Sequence, residues 1–261
     1  MRERRERGRI ASLFRPGQAH RCRRRLRVMK PIEIAEKDNL FVLTGAGVSV
    51  ESGLPAFRSS SGLWAGFRIE DVCTPEAWER DPWKVWTFYA ARREGALSVK
   101  PNPAHFAMAS LESLDSFFLC TQNVDNLHEA GGSKHVHHMH GDLFKSRCSD
   151  GCSPAIDDVT IYKSLDEVPL CHCGALMRPH ITFFEEVPMG LEVIERKLDE
   201  ATVLLVLGTS GTVYPAAAFV QDANRNRART IYVGLESPLN HYQFSEVYLA
   251  SASTLAFEIR D

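Results

Sequence analysis

Three groups of residues have the types and spacing to do chemistry. The first is the run Gly45-Ala46-Gly47-Val48-Ser49-Val50-Glu51-Ser52-Gly53, directly after the apolar Leu40-Phe41-Val42-Leu43. Glycines at a strand-to-helix turn let backbone N–H groups approach a pyrophosphate, and the helix start favours its negative charge. The third glycine falls late, at Gly53, so this is not the ordinary dinucleotide fingerprint, and a glycine-rich turn with no ligand accounts for it equally well. The second group is Lys134-His135-Val136-His137-His138-Met139-His140-Gly141, whose four histidines lack the spacing of a metal motif. One catalytic base among spectators fits better, because imidazole titrates near neutrality, but position alone does not choose it. The third is Cys148-x3-Cys152 with Cys171-x-Cys173, the layout of two ligand pairs for structural zinc. Four buried or reactive thiols are the alternative, and His172 could stand in for one cysteine. A metal closed by four thiolates stabilises a loop-rich lobe and performs no reaction.

Two fainter signals accompany these. Gln122, Asn123 and Asp125 follow a second apolar run, where polar side chains meet a ribose or an amide, although Asn and Asp also populate ordinary turns. Tyr89 and Arg92 are three residues apart on one helix face, a phenol and a guanidinium able to receive a carboxylate. A core tyrosine beside an unrelated arginine is the simpler reading of that pair taken alone.

Elements must hold these groups in place. Apolar runs at Leu40–Leu43, Phe117–Cys120, Val203–Leu207 and Ile231–Val233 each end in small or polar residues, as strands buried on both faces do. Helix-like segments lie at 105–114, opened by Asn102-Pro103, and at 189–198 and 215–223; another, opened by Asp81-Pro82, runs to Leu97. The alternation predicts an α/β fold with a Rossmann-like parallel sheet, whose ligands gather at the carboxyl ends of the strands. Its expected domain occupies 30–61, 98–144 and 181–261, interrupted by a helical insertion at 62–97 and a zinc-binding insertion at 145–180.

The chain has 261 residues, 44% hydrophobic and 25% charged, enough for a large core and unlike collagen or a disordered chain. No apolar run approaches the roughly 18 residues that cross a bilayer. The net charge of −2 conceals an uneven distribution: residues 1–30 carry eleven arginines and Lys30 against Glu3 and Glu6. A basic arm at 1–29, expected to be disordered, thus precedes an acidic body, and Met29 is an alternative start. Weak attraction to nucleic acid or an anionic membrane through the arm is its functional alternative. An odd count of seven cysteines without a secretory signal argues for a reducing compartment, the cytoplasm, and against a disulfide framework.

Taken together, the run from Gly45 to Arg58, the stretch Thr121-Gln122-Asn123-Val124-Asp125-Asn126-Leu127-His128, His140-Gly141 and Gly208-Thr209-Ser210 closely resemble the sirtuin family, from about Leu40 onward. Phe88-Tyr89-Ala90-Ala91-Arg92-Arg93 is similar to the Tyr-x-x-Arg of class III sirtuins, as is Val213-Tyr214-Pro215-Ala216-Ala217. The segment from Gly62-Leu63-Trp64 to Thr74-Pro75 looks like the bacterial CobB-type proteins.

The resemblance implies an NAD-consuming protein-lysine deacylase acting on acidic acyl groups, succinyl and malonyl, with weaker deacetylation. In that chemistry the acyl oxygen attacks C1′ of the nicotinamide ribose, nicotinamide leaves, and an alkylimidate collapses to free lysine and O-acyl-ADP-ribose. It assigns His140 as the base and Asn123 as its catalytic companion. Gly45, Ala46, Gly47, Ser49, Glu51, Phe57, Arg58 and Trp64 would surround the nicotinamide and phosphates, Gln122 the ribose, and Asn123, Val124 and Asp125 the nicotinamide pocket. Gly208, Thr209 and Ser210 would meet phosphate and adenosine, with Gly234, Leu235, Glu236 and Ala252 around the adenosine. Tyr89 and Arg92 would bind the distal acyl carboxylate, next to Val213 and Tyr214, and Cys148, Cys152, Cys171 and Cys173 would hold zinc. The expected partners are acylated proteins, with no membrane and a monomeric state; protein ADP-ribosyl transfer and a nucleic-acid-associated zinc module are the alternatives. Three departures stand out: Gly234 replaces an expected asparagine, Ala250 replaces a glycine, and Phe184-Glu185-Glu186 replaces Phe-Gly-Glu where the peptide should pair as a strand.

Overall fold

All four apolar runs become strands. A computed structural model, which describes residues 31–55, 63–64, 67–255 and 257–260, contains β1 (Ile32–Ala35), β2 (Leu40–Thr44), β3 (Leu63–Trp64), β4 (Phe67–Arg68), β5 (Phe117–Thr121), β6 (Val136–His138) and β7 (Gly141–Cys148). These are followed by β8 (Ile156–Asp157), β9 (Met177–Ile181), β10 (Val203–Leu207), β11 (Arg229–Gly234), β12 (Glu246–Leu249) and β13 (Phe257–Arg260). The basic arm lies outside the described residues, as do Phe57 and Arg58; of Trp64 only the backbone is described. No helix among the described residues is long and apolar enough to cross a membrane.

Strands order as β12-β11-β10-β2-β5-β6 in one sheet, every pairing parallel. In-register pairing sets Val42 opposite Leu205 and Leu119 and ends β2, β5 and β10 together at Thr44, Thr121 and Leu207. Alternate side chains then enter different cores. Leu40, Val42, Leu205 and Ile231 pack on one face with Ala104, Met108 and Leu111, whereas Phe41, Leu43, Leu204 and Val206 pack on the other with Ile194, Leu198, Phe219 and Val220. Each such side chain removed from water contributes about 1.5–3 kcal/mol, which is why these segments read as unbroken apolar runs.

The expected helices form with shifted ends. Pro103–Ser110 is held by a capping box between Asn102 and His105 and passes into a 3₁₀ turn at Leu111–Ser113. The helix expected at 189–198 runs Leu191–Glu200, and that expected at 215–223 is a 3₁₀ turn, Ala216–Ala218, followed by Phe219–Arg225. Asp81 caps the Pro82–Leu97 helix, its carboxylate accepting from Lys84 N at 2.9 Å.

That last helix belongs to a second lobe, shared with the antiparallel sheet β8-β7-β9. Trp86 packs against Cys148, Tyr162, Val168 and Met177, and its Nε1 donates to Met177 O at 3.1 Å. Arg93, fully buried, donates to Leu143 O at 2.5 Å, Thr160 O at 2.8 Å and the Asp158 carboxylate at 3.2 Å. Removing one partner from such a buried pair leaves an uncompensated charge, so this network fastens the Pro82–Leu97 helix to the strand and loop that lead into the cysteine-bearing segment. β7 begins at Gly141 and continues across the 144/145 boundary, joining the two lobes without an intervening linker. β1 and β13 form a separate parallel pair.

Candidate functional site

A cavity of about 750 Å³ opens at the carboxyl ends of the parallel strands, lined by the loops after β2, β5, β10 and β11. The loop after β2 runs directly into a one-turn helix, Gly47–Val50. Glycines there serve first to bring two loops into backbone contact. Gly47 N donates to Gly208 O at 2.8 Å, and a Cβ on Gly47 would stand 2.7 Å from Gly208 Cα. Gly208 itself has φ +61, a left-handed conformation that favours glycine, and its own Cβ would meet Val48 N at 2.6 Å. Gly45, Ala46, Gly47, Ser49, Gly208, Thr209 and Ser210 all reach the cavity.

Across from them stand Gln122, Asn123, Val124 and Asp125. Asn123 is buried and fixed by Nδ2 donation to Gly45 O and Ser49 Oγ, both at 3.2 Å. Ser49 Oγ donates to the Asp125 carboxylate at 3.1 Å, which also accepts from Leu127 N at 3.2 Å. Burial raises the Asp125 carboxyl above its ordinary range, with those two bonds opposing. The Gln122 amide Nε2 is buried with no hydrogen-bond partner among the described residues, a donor held ready for an acceptor on a bound molecule.

Geometry also sorts the histidines. His140 is the one of the four that lines the cavity. His137 contacts Met189 O at 2.9 Å; His138 bridges Asn123 O at 3.1 Å and Glu129 at 2.7 Å. Burial alone would lower His138, but its bond to Glu129 outweighs that and raises it. His140 Nδ1 lies 3.1 Å from Gln122 O. A carbonyl only accepts, so Nδ1 carries the hydrogen and Nε2 keeps its lone pair. Burial lowers His140 from its ordinary value, Gln122 opposing, so the ring stays neutral at pH 7.

His105 and His128, both fully buried beneath the site, have a different role. Thr44 Oγ1 donates to Thr121 Oγ1 at 2.8 Å and so accepts from His128 Nε2 at 2.9 Å; His105 Nδ1 accepts from Asn102 N at 3.1 Å. Burial pushes His105 down to about 4 and His128 down to about 3, the neighbouring His105 adding repulsion. An unfolded chain would protonate both near pH 6.5. Stability is therefore full above pH 6.5 and falls as the pH drops toward 4, by roughly 1.4 kcal/mol per pH unit for each ring. His180, also at about 4, adds to the loss, and the raised His138 opposes it. Denaturant melts at pH 7.5 and 5.0 with equal midpoints would contradict this.

For Tyr89 and Arg92 the expectation divides. Arg92 lines the cavity, its guanidinium 5.8 Å from the Phe88 ring centroid. Tyr89 does not reach the cavity: it is fully buried, and its hydroxyl donates to Cys73 Sγ at 3.1 Å. Cys73, which the sequence did not single out, is the lining residue there, with Phe183 and Phe184 beyond it. Its only sequence signal is its place just before the Thr74 cap and Pro75. Val213, Tyr214, Gly234, Leu235, Glu236 and Ala252 complete the predicted lining. Glu51 does not line it; its carboxylate instead accepts from Ser251 Oγ. At the departure from Phe-Gly-Glu, Glu185 keeps a glycine-like backbone with φ 75, strain of about 1–2 kcal/mol, while Glu186 pairs with Arg178 at 2.7 Å and Arg147 at 3.1 Å.

Away from the cavity, Cys148, Cys152, Cys171 and Cys173 place their sulfurs within 4.8 Å of one another, with successive separations of 3.4 to 3.5 Å. Thiolates bound tetrahedrally at about 2.3 Å lie about 3.8 Å apart, so the four fit structural zinc, and His172 is outside the set.

Parallel strands with glycine loops packed against each other, a buried amide donor and a neutral imidazole in one cleft define an α/β nucleotide-binding enzyme carrying a thiolate metal module. A model of the Sir2 family matches residues 45–215. Curated relatives named NAD-dependent protein deacylase include one from Escherichia coli O6:H1, 44% identical over 87% of this chain and 84% of its own, and one from Vibrio cholerae serotype O1, 45% identical over 82% and 89%. Similar solved structures include a Sir2 homologue mutant in complex with ADP-ribose (36% identity, TM-score 0.77, 84% of this chain and 89% of that one) and a Sir2 bound to acetylated peptide (30%, 0.71, 82% and 88%). The chain belongs to the Sir2 family.

Proposed function

We propose that this protein is an NAD-dependent protein-lysine deacylase of the cytoplasm that prefers succinyl and malonyl groups over acetyl. The observation that carries the preference is Arg92 on the wall of the cleft that also holds His140 and Asn123. Burial lowers the Arg92 guanidinium from its ordinary range, Tyr89 and Asp125 opposing, yet an arginine does not give up its charge. Held at the cavity wall, its planar fork of donors matches a carboxylate, and the distal carboxylate of an acidic acyl chain is such a group.

NAD, when bound, would supply an electrophilic ribose carbon and a nicotinamide leaving group. The glycine loops and Gln122 Nε2 would hold its phosphates and ribose. Asn123, with its amide anchored to Gly45 and Ser49, fixes the nicotinamide side of the cleft. His140 Nε2 takes the proton that must leave a ribose hydroxyl, and Nδ1 remains donated to Gln122 O throughout.

Matched acetyl, malonyl and succinyl peptides, assayed with and without NAD, test this reading. Free lysine should appear only with NAD, fastest from the acidic acyl peptides. In Arg92→Met, desuccinylation should fall by about 10²-fold, as loss of a buried charge-assisted pair implies, and deacetylation by far less. Equal losses on both substrates would remove the selectivity assignment.

A further inference from the structure

The acyl wall contains a thiol where a phenol was expected. Cys73 is buried yet lines the cavity, close enough to Arg92 for that charge to act on it. Behind it, Tyr89 is held by Phe88, edge-on at 4.9 Å, and Phe183, stacked at 6.3 Å, so its hydroxyl has a fixed direction. Cys73 Sγ is the hydrogen-bond partner of that hydroxyl among the described residues. Burial raises both the Cys73 thiol and the Tyr89 phenol above their ordinary values, so each is neutral at pH 7.

Resting on the deacylase reading above, we propose that Cys73 is a specificity-determining residue: its sulfur stands between the Tyr89 hydroxyl and the cavity, occupies that hydroxyl, and sets how strongly a charged acyl tail is preferred to a neutral one. The physical reason is the weakness of sulfur as an acceptor. A buried hydroxyl that loses its partner pays a desolvation cost, which only an incoming acceptor relieves. In Cys73→Ala the sulfur is gone, the hydroxyl faces the cavity, and a carboxylate tail satisfies it where a methyl tail does not. In Cys73→Ser an oxygen partner holds the hydroxyl more firmly and withholds it from the substrate. Selectivity for the charged tail is therefore ordered Ala above Cys above Ser.

The test compares succinyl-lysine with butyryl-lysine peptides, which have the same carbon count and differ in the terminal carboxylate. The succinyl-to-butyryl ratio of kcat/KM should rise about tenfold in Cys73→Ala and fall severalfold in Cys73→Ser, the worth of one hydrogen bond to a charged group. A ratio measured within one variant does not depend on how much of it is folded. Adding Tyr89→Phe should abolish the difference among the three residues at position 73. Ratios within twofold of each other, or a difference that survives Tyr89→Phe, would overturn the proposal and leave Cys73 as a filler of space. A parent enzyme that frees no lysine from any acyl peptide in the presence of NAD would overturn the deacylase reading and this proposal together.

Discussion

His140→Ala lowers kcat by about 10²–10⁴-fold, the range for removing a positioned general base, and leaves the melting transition close to the parent's. The asymmetry follows from the surroundings of the ring. Its bond within the protein is the one to Gln122 O, and it sits half-buried at the cavity wall instead of inside a core cluster. Truncation therefore opens space that water fills. The parent enzyme should also keep full activity somewhat below pH 6.5, because burial holds the free base to lower pH, and lose it as the ring takes a proton. Turnover by His140→Ala within tenfold of the parent, or an acid limb well above pH 6.5, would take the proton-accepting role from this residue.

Metal removal has a comparably large effect on stability. Zinc should be present at about one ion per chain, by mass spectrometry of the native protein or elemental analysis. Stripping it, or replacing Cys171 by serine, should cost more than about 4 kcal/mol, the scale reserved for losing a bound metal. Cys148 sits in the core cluster with Trp86, Tyr162, Val168 and Met177, so released thiolates unsettle apolar packing as well as the exposed turns. Limited proteolysis of the stripped protein should cut between 149 and 175 first. A metal-free protein with an unaltered melting temperature would refute the structural role.

Legibility in the sequence tracked burial pattern. β2, β5, β10 and β11 were visible because both of their faces are covered, which forces consecutive apolar residues. β9 was not: Met177-Arg178-Pro179-His180-Ile181 alternates in no simple way, since Arg178 is drawn inside by Glu186 and lies over the Phe183 ring at 3.7 Å. The site was readable as four loops, because each is the carboxyl end of a readable strand. What stayed hidden depends on side-chain direction. Spacing puts Tyr89 and Arg92 on one helix face, but only the packed lobe reveals that Tyr89 turns to a thiol sixteen residues earlier. Likewise Arg92 and Arg93 are indistinguishable as letters; one meets the cleft and the other disappears into carbonyl oxygens and Asp158. Spacing alone does not single out His140 among the four histidines; the family resemblance does, and the structure sets its ring on the cavity wall with Nδ1 beside Gln122 O.

The long reach of Trp86 and Arg93 bears on how the chain assembles during synthesis. Trp86 finds Met177 O at a sequence separation of 91, and Arg93 finds Leu143 O at 50 and Thr160 O at 67. Until those later residues leave the ribosome, the Pro82–Leu97 helix carries an indole and a guanidinium with nowhere to go, and contacts this distant form late. The nascent Pro82–Leu97 helix is thus an exposed, half-made surface until those partners emerge, one that a chaperone would have cause to shield.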